Sequence, residues 1–288
     1  MAIIEAKNVS YIYGEDTTFA KKALDNVNLK IEEGEFIGLI GHTGSGKSTL
    51  VQHLNGLLKP SEGAIYIEGE DISKLGSKIK KVRQEIGLVF QYPEYQLFEE
   101  TIIKDVSYGP QNLGLSKEEI DERVRDAIET VGLSYEKDGN KSPFEISGGQ
   151  KRRVAIAGIL AMEPKVLILD EPTAGLDPAG RDEILREIHE IYGKKKITII
   201  IVSHSMEDIA SLANRIIVMK DGKVYMDDKP REIFKHKEEL EEIGLGVPQV
   251  TSFMRKLKEK GLDVDTSAIT VAEAKNILTD LLRGKDNV

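Results

Sequence analysis

The segment FIGLIGHTGSGKSTLVQHLNGLL at residues 36–58 predicts a strand, a tight turn and a helix in succession. Its centre matches G-x-x-x-x-G-K-[ST], a loop that binds nucleotide phosphates. Glycines let backbone N–H groups approach phosphate oxygens, and the helix N-terminus adds about half a positive charge. The predicted nucleotide-binding residues here are Gly41, His42, Thr43, Gly44, Ser45, Gly46, Lys47, Ser48 and Thr49. Hydrolysis stays open at this point, because kinases and GTPases share the loop.

Four apolar runs in the chain have the same character, and the first of them precedes this loop. They are short and nearly unbroken, and they lie at residues 36–40, 86–90, 166–169 and 197–202. Such runs are typical of strands that are covered on both faces. They predict an α/β fold with a mostly parallel central sheet between helices.

A segment with helical periodicity separates the second run from the third. This periodicity lies within residues 104–133, and Ser116 with Glu119 forms a possible capping box there. We therefore expect a helical insertion between segments of the sheet.

Two acidic residues and a histidine follow predicted strands. Asp170 and Glu171 end the run KVLILDE, and His204 follows the run at 197–202. Ligand sites gather at the carboxyl ends of parallel strands. Asp170 could hold Mg²⁺, directly or through water, and Glu171 could act as a general base on water. The alternative is exposed polar residues at strand ends, but the phosphate loop favours function, including a γ-phosphate contact for His204.

A second helix start has anion-binding character. The sequence ISGGQKRR at 146–153 precedes the helix-like run VAIAGILAMEP, with Ser147, Gly148 and Gly149 just before it. N–H groups at a helix N-terminus attract anions. An ordinary helix start is the alternative, but two adjacent glycines are unusual at a helix N-terminus, where Asp, Ser or Thr usually occur. One chain thus has two predicted helix N-termini that are suited to bind phosphate, whereas a nucleotide has only one triphosphate group.

Composition excludes several functional classes. The chain has 288 residues, 40% of them apolar, and a net charge of −9. This length allows one large domain with an appendage. We expect no nucleic-acid partner, because phosphate binding needs clustered basic residues. The absence of cysteine excludes disulfides and thiolate metal sites. No apolar stretch reaches the ~18–20 residues that cross a bilayer, so we expect no transmembrane segment.

The order of these motifs resembles the ABC ATPases. The resemblance covers roughly residues 3–235 and rests on Tyr13, GHTGSGKST, Gln91, ISGGQ, LILDE, AGLD at 174–177 and His204. It implies an ABC-type fold with a mostly parallel core sheet and an antiparallel β part near the N-terminus. It also implies an inserted helical subdomain at about 92–160 and a C-terminal helical extension. Ile146 departs from the family, which mostly has Leu, and we expect little effect.

The resemblance implies roles for individual residues. In ABC ATPases, the SGGQ segment of one subunit completes the nucleotide site of another, so two subunits enclose two ATP molecules. Tyr13 would stack on adenine, with Tyr11 as the alternative, and Gln91 would sense Mg²⁺ and the attacking water. The implied catalytic residues are Glu171, His204 and Gln91, and the implied metal ligands are Ser48, Gln91 and Asp170. The implied nucleotide contacts beyond the loop are Tyr13, Ser147, Gly148, Gly149, Gln150 and Asp177, with ATP and Mg²⁺ as cofactors.

Further segments resemble the ATPase subunits of energy-coupling factor (ECF) transporters. These are residues 89–98, DVSYGPQNLGLS at 105–116 and the tail after Pro230, and the N-terminal part resembles the second ATPase of the pair. The resemblance implies a motor subunit for uptake of vitamins or transition-metal ions, peripheral at the cytoplasmic face of the membrane. The implied partners are a second homologous ATPase, a transmembrane coupling protein and, indirectly, a substrate-binding membrane component.

Other functions fit the sequence less well. The runner-up is the ATPase of an importer that uses a periplasmic binding protein. A soluble ABC ATPase is less favoured, because the chain has neither a long coiled-coil insertion nor a second ATPase unit. ISGGQ together with AGLD disfavours a phosphotransferase outside the ABC family.

The tail predicts a second unit. We expect an ATPase domain at 1–235 and a dimerisation extension at 236–288. Thr270 and Glu273 form a possible capping box, and a shared helical face follows at Ala274, Ile277, Leu278 and Leu281. Periodicity alone fits packing on the same domain equally well, and the ECF resemblance favours the dimer.

The loop VFQYPEYQLF at residues 89–98 is unusually aromatic. Val89 and Phe90 are expected to end a strand, and Gln91 to face the nucleotide. Leu97 and Phe98 fit a hinge as well as an interface. Pro93 is expected to stop regular structure. For Tyr92, Glu94, Tyr95 and Gln96, the amphipathic aromatic character of the segment favours contact with the transmembrane coupling protein.

Overall fold

The computed structural model describes residues 2–76 and 79–285. The strands are β1 (Ala2–Tyr13), β2 (Lys21–Glu32), β3 (Phe36–Gly41), β4 (Glu62–Ile67), β5 (Glu70–Asp71), β6 (Ile86–Val89), β7 (Val166–Asp170), β8 (Thr198–Val202), β9 (Arg215–Lys220) and β10 (Lys223–Asp228). The helices are α1 (Lys47–Leu54), α2 (Ile79–Glu85), α3 (Ile102–Asn112), α4 (Lys117–Thr130), α5 (Tyr135–Asp138), α6 (Gly148–Leu160), α7 (Pro178–Lys195), α8 (Met206–Leu212), α9 (Pro230–Ile233), α10 (Lys237–Glu242), α11 (Gln249–Glu259) and α12 (Val271–Lys285). Short 3₁₀ turns span Ile72–Lys74 and Pro93–Gln96.

The central sheet confirms the predicted parallel core. Its strand order is β10-β9-β3-β8-β7-β6, and all neighbours are parallel except β10 with β9. The four apolar runs form β3, β6, β7 and β8, which are buried almost throughout. Phe90 was wrongly placed in a strand: β6 ends at Val89, its last partner on β7, and the Phe90 side chain is 38% exposed.

Both faces of the central sheet are covered, and adjacent residues of a strand belong to different cores. Phe36 and Ile199 pack with the helices α6 and α7 on one face. Ile37 and Ile200 pack with α1 and the second sheet on the other face. This alternation follows from the two-residue period of a strand and explains why the runs are apolar throughout.

The second sheet is antiparallel, with the order β2-β1-β4-β5, and it confirms the antiparallel part expected near the N-terminus. Its apolar face contributes Ile4 and Leu24 to the core that also holds Leu50 of α1. The helix after the phosphate loop is therefore fixed between two sheets.

The helical insertion consists of α3 to α6. The capping box at Ser116 and Glu119 is confirmed, with both reciprocal hydrogen bonds present at the start of α4. Helices α3 and α4 both pack on α6, so the insertion supports the helix that begins with SGGQ.

The C-terminal helices α11 and α12 form a small core of their own. It contains Met254, Val264, Ala268 and Ala274, and the predicted face Ile277, Leu278 and Leu281 packs against it. At the start of α12, Thr270 accepts the Glu273 N–H as predicted, but the Glu273 carboxylate accepts from Ile269 N–H instead of from Thr270. This corrects the second capping box.

The proposed boundary at 235/236 stays a prediction. Leu240, Ile243 and Leu245 lie beyond it, yet they pack into the main core. Residues 286–288 of the predicted extension lie outside the described residues. Over the described ranges, no helix has the length and apolar character to cross a bilayer.

Candidate nucleotide-binding site

The phosphate loop joins the end of β3 to the start of α1. Lys47 is 6% exposed, and its Nζ donates hydrogen bonds to the carbonyl oxygens of Gly41 (2.7 Å) and His42 (3.1 Å). Gly46 has φ 104°, and an added Cβ would lie 2.6 Å from a backbone oxygen, so only glycine fits. Ser45 Oγ is buried without a hydrogen-bond partner in the described part of the chain. The loop thus winds around an ammonium group and leaves polar atoms for an anionic ligand.

The structure brings Asp170, Glu171 and His204 together. Asp170 ends β7, and the next residue, Glu171, has a left-handed φ of 50°. The Glu171 N–H donates to Val202 at the end of β8 (3.0 Å), and His204 Nε2 lies 2.8 Å from Glu171 Oε1. Left-handed backbone at a non-glycine residue is costly and concentrates at functional sites.

The charges at these strand ends are coupled to the phosphate loop. Burial raises the pKa of Asp170, and the negative charge of Glu171 raises it further. Burial lowers the pKa of Lys47, against the charges of Glu171 and Asp170. The charges of both carboxylates therefore act on the same buried lysine. An added cation would favour the ionised form of Asp170 and reduce the repulsion.

Three side-chain oxygens predicted to bind metal lie at this edge of the sheet. Ser48 is exposed in the first turn of α1, and Gln91 is exposed just beyond β6, the strand next to that of Asp170. Among residues 2–76 and 79–285, no group of three or more His, Cys, Asp or Glu is placed to hold a metal ion. Hydroxyl, amide and carboxylate oxygens suit Mg²⁺, which usually keeps water and substrate phosphates as its other ligands. The residues therefore fit Mg²⁺ that binds together with a nucleotide.

Tyr13, at the end of β1, lies beside the phosphate-loop helix. Its ring is 41% exposed, and its hydroxyl is 3.3 Å from Thr49 Oγ1 of α1. Tyr11, the alternative for adenine stacking, packs into the core and meets Tyr13 and His53 edge-on, with ring centroids 4.8 and 4.7 Å apart. Sequence reasoning missed His53, a buried residue that supports Tyr11 and whose pKa burial lowers. The geometry favours Tyr13 as the stacking residue.

The SGGQ segment forms the start of α6. Ser147 Oγ accepts the Gln150 N–H (3.3 Å), and Gln150 Oε1 accepts the Ser147 N–H (3.1 Å), which completes a capping box. Ser147 and Gly148 are exposed, and an added Cβ at Gly148 or Gly149 would have no atom within 4 Å. The segment is thus an open helix N-terminus that could bind phosphate of a facing molecule.

Comparison with known proteins identifies the family. The ABC transporter profile matches residues 24–174, more than half of the chain. The energy-coupling factor transporter ATP-binding protein EcfA2 of Clostridium tetani is 58% identical over 98% of each chain. The chain belongs to this ECF branch of the ABC transporters.

Two solved structures agree with the assignment of this ECF ATPase to the ABC transporter family. The structure of cbiO1 from Clostridium perfringens, part of the ABC transporter complex cbiONQ, is 41% identical with a TM-score of 0.75, covering 88% of this chain and 99% of that one. The ATP-binding cassette MJ0796, a dimer in a post-hydrolysis state with ADP and Pi, is 33% identical with a TM-score of 0.69, covering 79% and 98%. The predictions of family, fold class and transport-coupled ATPase function are confirmed.

Two groups of contacts in the ECF ATPase were not predicted from the sequence. Asp177 caps α7 by accepting a hydrogen bond from the Gly180 N–H (2.7 Å). One turn later, Arg181 donates hydrogen bonds to Ser205 and Asp208, which follow His204 in the chain. Arg152 of α6 is fully buried and contacts the turn that follows Glu171. Neither Arg181 nor Arg152 stands out locally, because charged helix residues are mostly solvated.

Proposed function

We propose that this ECF ATPase hydrolyses ATP as the motor subunit of an importer of vitamins or transition-metal ions, peripheral at the cytoplasmic face of the membrane. The observation that carries the proposal is the 2.8 Å contact between Glu171 and His204. Glu171 follows the end of a strand, and its negative charge, like that of Asp170, acts on Lys47 of the phosphate loop. A carboxylate held by a histidine beside a phosphate loop is suited to orient and deprotonate water. The 58% identity with the C. tetani EcfA2 protein supports the transport role.

In this proposal, ATP extends from Tyr13 to Glu171. Tyr13 stacks on adenine, a contact typically worth about 1–3 kcal/mol. Gly41–Thr49 bind the phosphates through backbone N–H groups, and Lys47 exchanges carbonyl oxygens for phosphate oxygens. His204 contacts the γ-phosphate, while Glu171 accepts a proton from the attacking water.

Ser48, Asp170 and Gln91 are proposed to hold Mg²⁺ with the nucleotide. Their side chains offer the oxygen ligands that Mg²⁺ prefers. In addition, burial and the charge of Glu171 raise the pKa of Asp170, and a bound cation would offset this effect. The ion, when bound, supplies positive charge that balances the β- and γ-phosphates. Gln91 would contact the ion and the attacking water through its side-chain oxygen.

A second ATPase subunit is proposed to complete the site. Ser147, Gly148, Gly149 and Gln150 of one subunit would bind the γ-phosphate held by the other, with Asp177 reaching across the interface. The open N-terminus of α6 supports this, because Gly148 and Gly149 have unoccupied space around them. The dimeric MJ0796 cassette is consistent with the same arrangement. The proposed pair is either a heterodimer with a homologous ATPase or a homodimer of this chain, and the C-terminal extension is proposed to strengthen it.

A transmembrane coupling protein is proposed to dock on residues 92–98. Tyr92, Tyr95 and Phe98 are 42%, 85% and 57% exposed. Phe98 also lines a cavity of about 570 Å³ between this segment, α2, α3 and α6. Phe98 meets Tyr108 of α3 edge-on at 4.9 Å at its rim. Exposed aromatic side chains around an apolar cavity are typical of interfaces.

Tyr95→Ala is expected to uncouple transport from hydrolysis. The side chain is 85% exposed, so its loss should leave folding and ATP affinity unchanged while reducing uptake at least about tenfold, as for an interface hot spot. Substrate uptake, ATP affinity and phosphate release are measured on the same complex in proteoliposomes. The control is Tyr225→Ala, an exposed tyrosine on the edge strand β10. Loss of ATP affinity with intact assembly would place Tyr95 in the nucleotide site instead.

The proposed function is tested by purifying the tagged full-length chain from native membranes. We expect a second ABC ATPase and two small membrane proteins to co-purify. Co-purification of a periplasmic binding protein would favour the runner-up importer class. Recovery without any membrane protein would contradict the motor role.

A further inference from the structure

Arg152 lies where three segments of the molecule meet. It occupies the second turn of α6, five residues after Ser147, and is 1% exposed. Nη1 donates to the Pro172 carbonyl (2.7 Å), and Nη2 donates to the Ala174 carbonyl (3.0 Å). Nη2 also lies 3.2 Å from both carboxylate oxygens of Glu94. A buried guanidinium is costly unless it is paired and hydrogen-bonded, so these contacts fix its position.

The two carbonyl groups bonded to Arg152 belong to the turn that carries Glu171. Pro172 follows Glu171 directly, and the Ala174 N–H donates to the Glu171 carbonyl (3.1 Å). Glu171 has a left-handed φ of 50°, a conformation that persists only where the surrounding structure holds it. The hydrogen bonds from Arg152 to this turn help to hold it, and with it the direction of the Glu171 side chain. A shift of Arg152 would therefore redirect the carboxylate without disturbing the phosphate loop.

Glu94 connects Arg152 to the aromatic segment 92–98. Its side chain is 21% exposed and faces inward to Arg152, whereas the rings of the neighbouring Tyr92 and Tyr95 are exposed. Tyr92 has a left-handed φ of 56°, and its ring comes within 3.4 Å of a Cβ placed on Gly175. Two contacts thus join this segment to the turn after Glu171. Glu94 was expected to touch the membrane partner, but its carboxylate is engaged inside the protein.

We propose that the Glu94–Arg152 pair positions Glu171 by holding the turn that follows it. The inference rests on the proposed function, in which Glu171 is the general base. Arg152 also belongs to the helix that begins with Ser147, so one side chain connects both nucleotide sites of a dimer with the membrane-facing segment.

Glu94→Gln and Arg152→Lys test this positioning role in the assembled complex. Glutamine keeps the length of the side chain but removes the charge, and lysine cannot donate to Pro172, Ala174 and Glu94 in the same planar geometry. We expect kcat for phosphate release to fall about 10- to 100-fold, as for misplaced catalytic groups. KM for ATP should stay within twofold. The kcat values are normalised to the number of sites that bind a nucleotide analogue, so misfolded protein does not contribute.

Two matched variants serve as controls. Glu100→Gln removes an exposed carboxylate that pairs with Lys104 after the same segment. Arg153→Lys changes the adjacent arginine, which is 11% exposed and pairs with Glu183 and Glu187 on α7. Both should retain kcat within about twofold, as is usual for changes outside the site.

The outcomes separate the inference from the proposed function. Normalised kcat within twofold of wild type for Glu94→Gln, or an equal loss in Arg153→Lys, would overturn the positioning role alone. A fall in kcat confined to Glu94→Gln and Arg152→Lys, with KM for ATP within twofold, supports it. Absence of ATP hydrolysis by the wild-type complex would overturn the proposed function and, with it, the inference.

Discussion

Glu171→Gln is expected to lower kcat for ATP hydrolysis about 10²- to 10⁴-fold while ATP still binds. The amide keeps the shape of the side chain and can still contact His204, which lies 2.8 Å from the carboxylate. It cannot take a proton from water. Lys47 and its loop are unchanged, and loss of a negative charge beside the γ-phosphate favours binding. Phosphate release and nucleotide affinity are measured on the assembled complex.

Glu163→Gln is the matched control for this change. Glu163 also has a left-handed backbone, with φ 52°, and pairs with Arg123 (3.0 Å) outside the site. A general effect of replacing a glutamate in this conformation would appear in both variants. Unchanged phosphate release in Glu171→Gln would remove Glu171 from the role of general base.

Gly149→Asp is expected to lower turnover roughly 10³-fold without harming the fold. No atom lies within 4 Å of an added Cβ, and an aspartate in the first turn of α6 favours the helix by about 0.3–1 kcal/mol. In a dimer, the same carboxylate would face the γ-phosphate bound by the partner. Repulsion of about 4 kcal/mol at about 4 Å corresponds to a loss of roughly 10³-fold in rate. Phosphate release is measured beside thermal unfolding and ATP affinity.

Gly246→Asp is the control for the charge and size of the new side chain. Gly246 is exposed, and an added Cβ there also has no atom within 4 Å. It should hydrolyse ATP at the wild-type rate. Normal turnover in Gly149→Asp would show that this helix start does not approach a nucleotide.

The elements that could be predicted are those with a strong local pattern. The runs that form β3, β6, β7 and β8 are apolar because both faces of the sheet are covered, and their ends place Lys47, Asp170 and His204 at one edge. The box at Ser116 and the helix start at Ser147 depend on neighbours within one turn, and both are present. Such features need no information about distant parts of the chain.

Features that depend on tertiary packing could not be predicted. Arg152 and Arg153 are adjacent, yet one contacts the turn after Glu171 and the other contacts α7. Tyr11 and Tyr13 have the same parity along β1, so only the packing of Tyr11 against the core distinguishes them. Phe90 continues an apolar run but lies beyond the last residue of β6 that pairs with β7.

The proposed mechanism requires two ATPase subunits for each hydrolysis event, with Glu171 on one side of the nucleotide and Ser147 of the other subunit opposite it. The direct test uses light scattering to measure the mass of the Glu171→Gln chain together with its co-purified ATPase partner. The mass is measured in the presence and in the absence of MgATP. We expect the mass of two ATPase subunits with MgATP and mostly separate subunits without it. A single-subunit mass with MgATP, in a preparation whose wild-type chain hydrolyses ATP as a monomer, would contradict the two-subunit site.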